Sequence, residues 1–99
     1  MDKDLFDAIC DHVAPEMDDA ETRKALIQNA LYGSVVLDRI DWSGPKATFT
    51  PRLVRELDIF GNVESGKAAI IAVLQEHRKG IGTDRQRVCD DLITKLSPI

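Results

Sequence analysis

Helix-starting and helix-stopping residues recur along this chain at intervals too short for anything but a set of short helices. Pro15, Gly33, Gly44-Pro45, Gly61-Asn62 and Gly80-Ile81-Gly82 punctuate it, and capping residues precede most of the intervening segments. Between the punctuation marks the apolar residues fall at helical spacing, and no stretch shows the sustained alternation a half-buried strand needs. The chain therefore reads as all-α.

Six helical segments follow from these signals. The first runs from about Lys3 to Ala14, with Asp2 as N-cap and Pro15 ending it; Leu5, Phe6, Ile9, Cys10 and Val13 share one side, and Asp4, Asp7 and Asp11 lie opposite. The second starts at Asp18, with Glu21 completing a capping box. It buries Leu26, Ile27, Ala30 and Leu31 and stops at Gly33. Ser34 to Ile40 reads as a short third helix, although its β-branched pair Val35-Val36 suits an extended segment equally. Asp41 to Pro45 is a turn, and Trp42 within it reads as a plug at a helix junction.

The fourth segment takes Thr50 as N-cap and Pro51 as its first helical residue. Phe49, Leu53, Leu57 and Phe60 form its inner stripe, with Val54 at the margin, while Arg52, Arg55 and Ile59 project away. The fifth, about Gly66 to Lys79, is apolar around most of its circumference and reads as the central helix. Thr83 with Gln86 forms a capping box for the sixth, which buries Val88, Cys89, Leu92, Ile93 and Leu96. The expected architecture is a compact six-helix antiparallel bundle forming one domain over residues 1–99.

The acidic start, Met1-Asp2-Lys3-Asp4, is unlike a secretory signal, and the longest apolar run, Ala68 to Leu74, is far short of the roughly 20 residues of a membrane span. A cytoplasmic location follows as the expectation, and Cys10 and Cys89 are expected to be buried thiols. A net charge of −4 argues against general affinity for nucleic acid or anionic membrane. Its distribution is uneven: residues 1–21 carry net −7 and residues 46–87 carry net +3.

Sites for chemistry are scarce. Gly61 to Lys67 matches the spacing G-x-x-x-x-G-K, but Ala68 stands where the magnesium-binding hydroxyl belongs, Glu64 sits inside the would-be phosphate nest, and a helix precedes it. It reads as an interhelical turn. Cys10, His12, His77 and Cys89 lack zinc-type pairing in the sequence, and both histidines read as boundary or core residues. No catalytic residue, metal ligand, cofactor or small-molecule substrate is expected. A hydrolase built on Cys10 or Cys89 is the minor alternative.

What remains is charge. The row Asp4, Asp7, Asp11 and the opposed cations Arg52 and Arg55, with Ile59 as apolar anchor and Arg85 or Arg87 contributing, offer two complementary surfaces for head-to-tail association. The basic cluster from Arg78 to Arg87 around a glycine turn raises the alternative of a small helical DNA-binding transcription regulator, which the acidic total disfavours.

Four stretches carry a family likeness: Arg23-Lys24-Ala25-Leu26-Ile27; Ile40-Asp41-Trp42-Ser43-Gly44; Thr48-Phe49 through Leu53-Val54, Leu57, Phe60-Gly61, Val63-Glu64 and Gly66-Lys67 to Ala69; and Gly82 with Asp84-Arg85-Gln86. Together they resemble the effector-associated domains of bacterial conflict systems, over about residues 5–96. The resemblance implies a death-like fold and an adaptor role. It implies homotypic pairing that recruits an effector, such as a protease, to an NTPase sensor in antiviral defence, with no catalytic residue in the domain. Ser97-Pro98-Ile99 directly follows the last helical segment, which suits either a piece of a longer protein or a free-standing adaptor.

Overall fold

A computed structural model describes residues 1–97. Within them the α-helices are α1 (Lys3–Val13), α2 (Ala20–Ala30), α3 (Lys46–Phe60), α4 (Ala69–Arg78) and α5 (Thr83–Leu96), with 3₁₀ turns at Ala14–Met17 and Val35–Arg39. Among the described residues the only extended pairing is an isolated bridge between Asn62 and Ala68. The all-helical class holds over the described residues, which contain five α-helices rather than six.

The missing helix is the segment over Ser34–Ile40. Ser34 accepts a hydrogen bond from the Val36 amide at 3.2 Å, and Ile40 N–H closes back on the Leu37 carbonyl at 3.4 Å, so the chain makes one tight 3₁₀ turn. Gly33 before it adopts φ +80°, and Ile40 after it is extended. Five residues between these limits are too few to propagate an α-helix. Val36 is fully buried, whereas Val35 is 60% exposed, so the segment contributes one of its two valines to the core.

Other boundaries moved for physical reasons. α2 is capped by Asp19, whose carboxylate accepts from Thr22 N–H and Oγ1 at 2.8 and 2.9 Å, one residue later than the expected Asp18. Between Pro15 and that cap the chain makes a 3₁₀ turn that drives Met17 into the core at 0% exposure. α3 begins at Lys46, leaving Pro51 inside the helix and Thr50 buried rather than capping. The Thr48 and Phe49 amides bond the Pro45 carbonyl at 3.0 and 2.9 Å, and Phe49 is fully buried. Burying that ring outweighs the helix-breaking bias of Pro51.

α4 begins at Ala69 rather than Gly66, because residues 61–68 close as a loop. Val63 N–H bonds the Lys67 carbonyl and Ala69 N–H bonds the Gly61 carbonyl, both at 2.8 Å. Gly61 there takes φ 82° with ψ −121°, a conformation essentially reserved for glycine. The capping box expected at α5 does not form: Gly82 is the N-cap, and the Gln86 side chain donates to the Arg78 carbonyl at 3.0 Å, stitching α5 to the end of α4. Val88 is 51% exposed rather than buried.

The core gathers Ile9, Val13, Met17, Ile27, Leu31, Val36, Phe49, Leu53, Val54, Leu57, Ala69, Leu74, Cys89 and Leu92, each at or below 3% exposure. α4 packs against α2, α3 and α5 and is the centre of the bundle, as its circumference implied; α1 packs on α3 and α5. No described helix is long and apolar enough to cross a membrane.

Candidate functional site

The acidic row of α1 lies outward. Burying Ile9 and Val13 puts Asp4, Asp7 and Asp11 on the exposed side. Asp7 is paired with Lys3 at 2.9 Å, an exposed i,i+4 bridge; Asp4 and Asp11 have no ion-pair partner among the described residues. The row is therefore a solvated anionic face with two uncompensated carboxylates.

The expected cationic complement is only partly assembled. Arg55 is exposed and Ile59 is 69% exposed, side by side on the outer flank of α3. Arg52 instead turns back onto the Asp41–Gly44 loop. It donates to the Asp41 and Ser43 carbonyls and approaches the Asp41 carboxylate at 3.8 Å. Arg85 also faces inward: its guanidinium holds Glu16 through both carboxylate oxygens at 2.8 and 3.2 Å, and the His12 carbonyl at 2.8 Å. Arg87 is exposed on α5.

The basic cluster that suggested DNA binding is largely neutralised within the molecule. Arg78 makes a forked bond to Asp90 at 2.7 and 3.1 Å, Lys79 pairs with Glu76 at 3.2 Å, and Arg85 belongs to Glu16. Within the Gly61–Lys67 loop the Val63 and Gly66 amides bond the loop's own Lys67 and Val63 carbonyls, and Lys67 donates to Gln75 at 2.6 Å.

Two features escaped the sequence reading. Arg23 is 3% exposed, lies 4.2 Å over the Phe49 ring, and donates to the Met17 and Gly44 carbonyls. It ties the first 3₁₀ turn, the Trp42 loop and α3 to α2. Its position four residues before Ile27, in line with the buried stripe, was the available signal. The second is a meeting of His12 and His77, 8% and 2% exposed, whose rings touch edge to face with centroids 4.8 Å apart. His77 Nδ1 lies 3.6 Å from the Glu16 carboxylate that Arg85 grips.

Both imidazoles are held below their ordinary value. For His12 burial is the main cause, followed by the neighbouring His77 and Arg85; for His77 burial again leads, with Glu16 pulling the other way. Burial by itself would raise Glu16, but its hydrogen bonds from Arg85 and the charge of that guanidinium hold it low. The cluster is thus a carboxylate and a guanidinium beside two neutral rings. Among the described residues no three His, Cys, Asp or Glu side chains are grouped to hold a metal ion.

The thiols are free and poorly suited to nucleophilic attack. Burial, then Asp7 and Asp11, pushes Cys10 up to about 11. Cys89 is fully buried, is raised mainly by that burial, and donates to the Leu74 carbonyl at 3.3 Å. A shallow groove of about 440 Å³ runs between the end of α2 and α4, with Tyr32 90% exposed near its rim. Lys67, Gln75, Glu76 and Lys79 on its walls bond one another, so it presents no unpaired cluster of ionisable groups.

A family model described as effector-associated domain 8 matches residues 4–96. Comparison with the curated proteins and with the solved structures gives no match.

Proposed function

The chain belongs to the effector-associated domain 8 family, and from that premise we propose that it is a non-catalytic adaptor that pairs with a like domain to bring an effector, such as a protease, to an NTPase sensor in bacterial defence. The death-like arrangement of its helices is part of the same reading. Partner recognition is assigned to the anionic face of α1, through Asp4 and Asp11, and to the cationic flank of α3, through Arg55 with Ile59 as anchor. Arg87 adds charge at the rim. Asp7 contributes to the field of the row, while Arg52 and Arg85 are engaged by groups of the chain itself.

The observation that supports this most is the presence of two unpaired carboxylates, Asp4 and Asp11, on the face of α1 and of an exposed Arg–Ile flank on another helix. Rim charges steer and select encounters, and a few apolar anchors set affinity. The variant carrying Arg55→Glu and Ile59→Asp alters only exposed positions, so it stays folded by circular dichroism. It is expected to weaken capture of a like domain by about tenfold or more. Unchanged capture at low salt rules out the α3 flank.

A further inference from the structure

We propose that His12, His77, Glu16 and Arg85 form a proton-operated latch that fastens α1 and its following turn to α4 and α5, closed at neutral pH and released by acid. The groups come from every element that meets there. His12 is on α1, Glu16 on the following 3₁₀ turn, His77 on α4 and Arg85 on α5, with the neutral Cys89 thiol beside Arg85. Among the described residues, α2 and α3 bring no ionisable side chain that acts on either imidazole.

The latch has room for one proton. Taken from solvent onto His77 Nδ1, it faces Glu16 Oε2 at 3.6 Å and forms an ion pair. A second, on His12, finds only the same carboxylate, already shared between Arg85 and His77. Three cations would then surround one anion in a site where both rings are at least nine-tenths buried. His12 Nε2 and both His77 nitrogens make no hydrogen bond within the protein, and the backbone group that favours a charged His77 is the His12 carbonyl, which already accepts from Arg85. The least costly escape is for α1 to leave, carrying His12 into water and breaking the Arg85 bond to the His12 carbonyl.

The direction with pH is set by the lowered imidazoles. Above the ordinary value of 6.5 the rings are neutral both folded and unfolded, and the latch keeps its full strength. Below it the unfolded chain binds protons that the folded chain resists, so stability falls as pH falls through that value and below. Glu16, held low, stays ionised through this window and is lost only at more acid pH.

Hydrogen exchange of the full chain, corrected for the intrinsic pH dependence, tests this between about pH 7.5 and about pH 5.5. Protection of the α1 amides is expected to drop by about tenfold or more, ahead of α3, and a His12→Asn, His77→Gln variant is expected to lose that pH dependence. Equal loss in α1 and α3, or an unchanged slope in the variant, overturns the latch. Should the variant fail to fold, proton titration of the two imidazoles in the unaltered chain decides: both below their ordinary value supports it, either at or above that value overturns it. Because α1 carries the acidic row, acid also removes a docking face, a consequence that rests on the pairing proposed above. The exchange measurement needs no partner, so an intact latch in a chain that never pairs sinks the pairing alone.

Discussion

Arg23 shows how much one side chain holds in a bundle this small. Its guanidinium reaches two parts of the chain through backbone carbonyls, the first 3₁₀ turn and the Trp42–Gly44 loop, and pairs with no carboxylate among the described residues; the Phe49 face supplies the contact to a third. Arg23→Met keeps the aliphatic packing but leaves the Met17 and Gly44 carbonyls without their donor. It is expected to cost about 2–4 kcal/mol in urea denaturation. A loss under about 0.5 kcal/mol would mean that water replaces the guanidinium at no penalty. Side-chain roles of this kind were half legible in the sequence. Arg23 sat on a visibly buried stripe, but its acceptors come from turns distant in the chain. The meeting of His12 and His77 had no signal, because neither local spacing nor composition reports which helices touch.

At the scale of elements, local chemistry predicted well where it acts alone and poorly where packing competes. Asp2 caps α1 as expected, accepting from Leu5 N–H at 2.8 Å, and Gly33 turns left-handed after α2. The Thr50-Pro51 start was misplaced, because Phe49 must be buried and takes the preceding residues into the helix with it. Pro51 then withholds a hydrogen bond from the Ala47 carbonyl. Pro51→Ala is therefore expected to stabilise the chain by about 1 kcal/mol, with α3 still starting at Lys46, as amide exchange of residues 46–50 would show. If Pro51 were the first helical residue, the same change would destabilise.

For the whole molecule, the interior and the exterior divide the work. The five described α-helices spend their apolar sides on one core, and buried Arg23 and the histidines, with the half-exposed Arg85, stitch its seams. That leaves the acidic row of α1 and the Arg55–Ile59 flank of α3 as surfaces with charge to spare. The sequence displayed both surfaces, since exposure follows from helical phase, but it overcounted the cations, because ion pairing depends on contacts across helices. Arg52 of α3 turns to the Asp41–Ser43 loop and Arg85 of α5 to Glu16, contacts that helical phase does not report. A charge-exchange experiment tests the central claim directly, with association followed by sedimentation at low salt. Chains carrying Asp11→Arg and chains carrying Arg55→Glu are each expected to lose self-association, and an equimolar mixture of the two is expected to recover it. Singly altered chains that associate as the unaltered chain does, or a mixture that stays monomeric where the unaltered chain associates, would contradict it.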